Sequence, residues 1–418
     1  MPCARLARLP IPKMTDRLPV RRFLFLQGPS SPFFARVARE LRRSGAETLR
    51  VGTCPGDRLF WLQGAGDYIA FRKPPEDWPE TARAIMKDGA ITDLVCLGDG
   101  RPFHRDAIGV ARDLGVRISI VEQGYLRPGL LTIEPNGMGG NSGIPAAFEA
   151  DRQSQFPVAE PRSFKSSFLL YAAYDVAFHF ANLVGAPFAY PHYRNHALHG
   201  TLDEWRGWIG KALKRPARRK ARDEALAEIE HHDGRVFLFP LQLETDYQIR
   251  QHGYRDGLRT ALADVVSSFA AHAPKDALLV VKVHPIDNGL TPWAAIIEDL
   301  KRQHGCERVV FLDGGDLERL MQRSAGIVTV NSTVGLSALS HGRPVKVLGS
   351  AIYDLEGLTD DQALERFWQA PLAPSPARVS DFLTFLKTTV LVPGAFEGEG
   401  AIPGACAVAD RLLAPPPF

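Results

Sequence analysis

Between Phe237 and Gly349 the chain repeats one pattern. FLFPLQLETDYQ, LLVVKVHP, GIVTVNSTVGLSAL and PVKVLG are short apolar runs that end in polar or charged residues, with helical sequence between them. β-Branched and aliphatic runs of about four to eight residues, alternating with helices, read as parallel strands buried on both faces. In such sheets ligands sit beyond the carboxyl ends of the strands. Asp246, Lys282, His284, Asn331, Ser332 and Thr333 all fall there.

A chain of 418 residues exceeds one ordinary core and suits two domains. The sequence divides into a flexible lead over 1–20, a Rossmann-like domain over 21–160 and a helical connector over 161–233. A second Rossmann-like domain follows over 234–385, then a tail over 386–418. The hydrophobic and charged fractions of 45% and 23% are those of a soluble globular protein. A net charge of +3 gives no overall argument for nucleic acid. From Trp205 to Arg222, however, every charge is basic and two tryptophans sit among them. That is either a solvated face or a surface that docks on anionic lipid headgroups. Cys3, Cys54, Cys96, Cys306 and Cys406 are widely spaced without a CxxC pair, which fits a reduced cytoplasm. No apolar run approaches the roughly 18 residues of a membrane span, so any membrane contact is peripheral.

In the first half, RFLFLQGPSSPFF reads as a strand and turn that leave Gln27 at a strand-to-helix junction. LVCLGDGRPFHRDA places Asp99, Arg101 and His104 at another strand end, and ISIVEQGYLRP does the same for Glu122 and Arg127. No Gly-x-Gly-x-x-Gly follows the first strand, so a dinucleotide is not indicated. Gly137 to Arg162 reads as a mobile Gly- and Pro-rich loop, and Phe164 to Val184 as a buried helix. His192 and His196 are four apart, but Pro191 and the lack of a matching carboxylate argue against a metal pair. DFLTFLKTTVLV reads as a closing helix that packs back on the first domain.

Two Rossmann-like domains facing across a cleft, without dinucleotide, Walker or nucleophile-elbow motifs, indicate an α/β protein of GT-B-like architecture and a nucleotide-sugar transferase. Ser332 and Thr333 open a helix beside Asn331, where hydroxyls and backbone N–H groups bind phosphate or cap the helix. Lys282 and His284 would neutralise a departing phosphate, with Pro285 ending the strand. Asp246 reads as a general base or nucleophile at a sugar carbon, or as an N-cap for the helix that follows. Glu122 is the rival carboxylate, from the other domain.

The pieces FLQGPSSPFF, RVGTCPGDRLFW, LGDGRPFHRDA, VEQGYLRP, PHYRNH, FPLQLETDYQIRQHG, VVKVHPIDNG, NSTVGLSALSHGRPVKVLGSAIYD and GLTD resemble the capsule polysaccharide biosynthesis and export family of the KpsS/LipB type. The resemblance implies a capsular β-Kdo transferase, retaining and CMP-Kdo dependent, that starts a poly-Kdo linker on a phosphatidylglycerol-type lipid. It implies no cofactor and a place at the inner face of the cytoplasmic membrane. Other capsule assembly proteins and an anionic membrane surface are its implied partners. By motif, His284 and Pro285 resemble the His-Pro pair that contacts CMP, and Ser332 and Thr333 the serine motif that holds its phosphate. Asp246 corresponds to the carboxylate proposed to attack the anomeric carbon. Family members often carry two acids before GYLRP, where this chain has Glu122 and Gln123. The alternatives are a transferase for another nucleotide sugar and a non-catalytic adaptor for the lipid-linked glycan.

Overall fold

The computed structural model describes residues 20–61, 64–151, 156–165, 168–194, 200–244, 249 and 253–418. Those up to 194, with Phe385–Phe418, form one compact unit, and those from 200 to Thr384 form a second. The fold is α/β, with one parallel-rich sheet in each unit.

In the first unit the strands are β1 (Arg22–Phe25), β2 (Glu47–Gly52), β3 (Asp67–Ala70), β4 (Asp93–Leu97), β5 (Arg117–Gln123) and β6 (Leu130–Pro135). A further strand, β12 (Leu391–Pro393), joins them from near the C-terminus, and the order is β12-β6-β5-β4-β1-β2-β3. β1 to β5 run parallel; β6 turns back on β5, and β12 lies antiparallel to β6. β4 is buried along its whole length, as the unbroken run DLVCL requires of a central strand. Helices α1 (Phe33–Arg43), α2 (Pro55–Leu59), α3 (Trp78–Asp88), α4 (Pro102–Asp113), α5 (Ile144–Glu149) and α6 (Phe168–Ala189) intervene. The residues after β12 form α15 (Ala401–Leu413), whose Ala405, Val408 and Leu412 share one core with Phe33, Val37 and Leu41 of α1.

The second unit has β7 (Val236–Pro240), β8 (Leu278–Lys282), β9 (Val309–Leu312), β10 (Gly326–Thr329) and β11 (Val345–Val347), in the order β11-β10-β7-β8-β9. All four pairings are parallel. Its helices are α7 (Thr201–Leu213), α8 (Arg215–His231), α9 (Leu258–His272), α10 (Trp293–His304), α11 (Leu317–Arg323), α12 (Thr333–Ser340) and α13 (Leu364–Gln369); α14 (Pro376–Thr389) begins in this unit and ends in the first. The core is sealed by edge-to-face contacts of Trp368 with Phe237 at 5.0 Å and Phe269 at 5.3 Å. Such pairs add about 0.5–1.5 kcal/mol each beyond their buried area. Gly326 opens β10 because a side chain there would meet the Phe367 ring at 2.6 Å.

Two sequence expectations are corrected. The described part of Gly137–Arg162 is anchored: Met138 and Ile144 are buried, and the main chain at Met138 bonds to Asp99. The Phe164–Val184 stretch is helical from Phe168 on, but α6 is buried on one side only. Its Phe178 stacks with Phe60, its Asn182 Oδ1 accepts from the Gly56 N–H at 2.7 Å, and Leu169, Val176, Phe180, Leu183, Val184 and Phe188 stay exposed. The five-residue α2 is too small to cover a helix whose apolar residues run round most of its surface.

Candidate functional site

In the order 3-2-1-4-5 the connections reverse direction between the first and fourth strands, and a crevice opens at their carboxyl ends. Both sheets contain this order: β3-β2-β1-β4-β5 in one, β9-β8-β7-β10-β11 in the other. The switch points lie between β1 and β4, and between β7 and β10.

At the second of these, Gln242 follows β7 and Asn331 follows β10. The Gln242 amide donates to Asn331 Oδ1 at 2.9 Å, and its carbonyl accepts from the Asn331 N–H at 3.3 Å. This two-way amide pair fixes the mouth of the crevice. Ser332 is the N-cap of α12: its Oγ accepts from the Val334 N–H at 3.2 Å, and its own N–H donates to Thr329 Oγ1 at 3.2 Å. The hydroxyl thus caps the helix and keeps its own proton to donate, so the capping and phosphate readings coexist. The Tyr353 hydroxyl donates to the Ser332 carbonyl, and Gly335 leaves room for the Tyr353 ring. Asn331, Ser332 and Thr333 are each half-buried at this end of β10.

Lys282 ends β8, beside β7, and is buried. Burial draws its pKa down, while nearby Asp313 acts in the opposite direction. His284 accepts from the Ile286 N–H through Nδ1 at 3.3 Å, so the neutral ring carries its proton on Nε2. Pro285 is exposed in the same turn. Two members of the basic Trp205–Arg222 stretch brace this region. Lys211 Nζ donates to the Asp287 carbonyl at 2.5 Å, and Arg218 pairs with Asp313 at 2.5 Å. Part of that basic charge is therefore structural, while Trp208, Ile209, Leu213, Arg215 and Arg219 remain exposed. Asp246 lies outside the described residues, as does His196.

In the first unit, Gln27 follows β1, Asp99 and Arg101 follow β4, and Glu122 lies on β5 one residue before its end. Arg101 Nη1 reaches the Gln27 carbonyl at 3.5 Å, and His104 Nδ1 bonds to the Gly98 carbonyl at 2.9 Å. Gly98 sits at φ +63°, and a Cβ there would lie 3.3 Å from Glu122 Oε2. The structure thus gathers Gln27, Asp99, Arg101, His104 and Glu122 at neighbouring strand ends. Arg127 stands apart on the β5–β6 turn, its Nε donating to the Gly124 carbonyl at 3.2 Å. Asp99 is committed to its own fold: Oδ2 accepts from Met138 N–H at 3.1 Å and from Asn141 Nδ2 at 3.0 Å.

Two groups escaped the sequence reading. Gln242 sits in a loop whose charged neighbours drew attention away from it. Glu134, fully buried on β6, accepts from the Tyr125 and Ser142 hydroxyls. Burial raises its pKa to about 8 against the smaller lowering effect of those two hydrogen bonds. A lone acid closing the apolar run LLTI is the signal that would have found it.

Residues 92–396 match the family described as capsule polysaccharide biosynthesis protein. The chain is 32% identical over 387 residues to the capsule polysaccharide export protein KpsS of Escherichia coli, spanning 90% of this chain and 97% of that one. To the capsule polysaccharide modification protein LipB of Neisseria meningitidis serogroup B it is 29% identical over 388 residues, 91% and 92% of the two chains. Among solved structures, the Thermosulfurimonas dismutans KpsC, a beta Kdo 2,7 transferase, aligns over 93% of this chain and 99% of that one. The identity is 14% and the TM-score 0.44.

Proposed function

The chain belongs to the capsule polysaccharide biosynthesis family, and from that premise we propose that it is a GT-B-like glycosyltransferase moving Kdo from CMP-Kdo to a phosphatidylglycerol-type lipid. The observation that carries the reading is the Gln242–Asn331 amide pair at the β7–β10 switch point, next to the Ser332-capped start of α12. Donors gathered there suit a nucleotide phosphate: the Ser332 and Thr333 hydroxyls and the positive end of the α12 dipole. In this reading Lys282 and His284 balance the charge that develops on departing CMP. Pro285 shapes the turn that presents His284.

Asp246 is assigned the covalent step on the strength of its motif. Its carboxylate displaces CMP from the anomeric carbon, and the acceptor hydroxyl then displaces Asp246, passing its proton to solvent as the carboxylate is freed. Glu122 serves the acceptor side with Gln27, Arg101, His104 and Arg127, while Asp99 holds the loop beneath them. The protein would work peripherally at the inner face of the cytoplasmic membrane, among other capsule assembly proteins.

The test is CMP release from CMP-Kdo generated in place, with a phosphatidylglycerol-type lipid as acceptor and the product weighed. A product heavier by one Kdo is expected. Asp246→Asn should abolish turnover and leave CMP binding intact, and Asn331→Ala should weaken CMP binding by about tenfold, one buried hydrogen-bonding partner being worth about 1–3 kcal/mol. Turnover with a different nucleotide sugar would replace the donor. With folded protein, absence of release from any donor would favour a glycan-binding adaptor.

A further inference from the structure

We infer that α6 is an interfacial helix that lies flat on a lipid surface with its exposed face in the acyl region. This extends the transferase reading, in which the acceptor is a lipid, but its argument is the helix itself. At 100° per residue, Leu169, Val176, Phe180, Leu183, Val184 and Phe188 fall on one side, and all are exposed, with Leu169 at 78%, Phe180 at 57% and Phe188 at 89%. Ala173 and Pro187 fill the same stripe, so no polar residue interrupts it. The opposite side is spent on α2, through Tyr174, Phe178, Asn182 and Gly185. Asp175 and His179 sit together on the flank, 3.6 Å apart.

The stripe's dimensions and its flanking charges choose the occupant. From Leu169 to Phe188 the stripe runs about 28 Å at 1.5 Å per residue. Among the described residues no helix is long and apolar enough to cross a membrane, so the pose is along the surface. Exposed cations stand at both ends: Arg162 and Lys165 before the helix, Arg72 and Arg194 near its C-terminus, against the acids Glu160, Asp175 and Glu399, the last accepting from the Lys165 N–H at 3.2 Å. The Arg72 guanidinium lies over the Tyr190 ring, 5.9 Å from its centroid, just past the helix end. Cations bracketing an apolar stripe match anionic headgroups around acyl chains.

The experiment is flotation of the full chain with vesicles of phosphatidylglycerol and phosphatidylethanolamine, with helix content checked by circular dichroism. The wild type should float, and Val176→Glu/Phe180→Glu should reduce the bound fraction at least tenfold. Phe188→Trp, which leaves the stripe apolar, should add emission that acyl-brominated lipid quenches. Unchanged flotation of the double variant, or loss of flotation only with Trp208→Glu/Arg215→Gln, would overturn the inference. So would an unquenched Phe188→Trp signal, or a wild-type dimer in sedimentation that the double variant breaks. CMP release with a short-chain, dispersed acceptor separates the two proposals: it persists in the double variant if the transferase reading holds, whatever the vesicles show.

Discussion

Glu134 is a carboxyl group with no exposure to solvent, and burial raises its pKa from 4.5 to about 8. At neutral pH the folded protein therefore keeps a proton there that the unfolded chain has released. Stability linked to this group is greatest below about pH 4.5, where both states are protonated. It falls as pH rises toward 8, by about 1.4 kcal/mol per unit where the two states differ by one full proton. The denaturant midpoint of the first unit should drop over that window, and Glu134→Gln should flatten the drop, because a neutral amide can accept from one of the Tyr125 and Ser142 hydroxyls and donate to the other. An unchanged slope in the variant would mean that another group carries it. Single residues were the least legible part of this sequence. Lys282 and Ser332 stand out because strand-end cations and helix-start hydroxyls have a chemistry that spacing reveals. Gln242 does not, because its role depends on Asn331, brought in from a distant strand, and Glu134 does not, because its partners are nearby hydroxyls and only the burial of β6 sets it apart.

The turn from β10 into α12 shows how an element is fixed from several sides. Ser332 caps the helix, Thr329 bonds back to Ser332, and Tyr353 fixes the Ser332 carbonyl from outside. Gly335 is the space that admits Tyr353: a Cβ there would fall 2.3 Å from its hydroxyl oxygen. The ring is buried and cannot swing away. Gly335→Ala should therefore cost about 1–3 kcal/mol in overpacking, read by urea unfolding, and on the proposed transferase reading should weaken CMP binding with it, read by calorimetry. Tyr353→Phe, which removes only the hydroxyl, should cost nearer 1 kcal/mol; a larger loss from Tyr353→Phe than from Gly335→Ala would show that the hydrogen bond, not the space, sets the turn. Elements of this kind were legible, since apolar runs such as LLVVK and GIVT announce parallel strands. α6 was legible as a helix but not in its exposure. Periodicity cannot show which side of a helix with apolar residues round most of its surface finds a neighbour.

At the scale of the whole molecule, the two sheets share a strand order, and so place their switch points in the same way. That much follows from alternating strands and helices with short connections. The closing of the first sheet does not follow, because β12 has only three residues and its partner β6 lies far away in sequence. The chain beyond β12 then crosses itself closely: a Cβ on Gly394 would lie 2.3 Å from Gly404 Cα, and Ser31 Oγ donates to the Phe396 carbonyl at 3.0 Å. α15 covers Phe33, Val37 and Leu41, each worth about 1.5–3 kcal/mol when buried. Their sum is comparable with the ~5–15 kcal/mol net stability of a domain. Ending the chain after Pro393 should thus leave the first unit unable to hold its fold, seen as loss of the cooperative thermal transition and rapid proteolysis within residues 20–194. Gly394→Ala tests the same closure without removing a core, because only the backbone crossing is disturbed, and it should lower the melting temperature while helix content at 20 °C is kept. If both variants melted like the wild type, α15 would be an appendage and α1 would need some other cover.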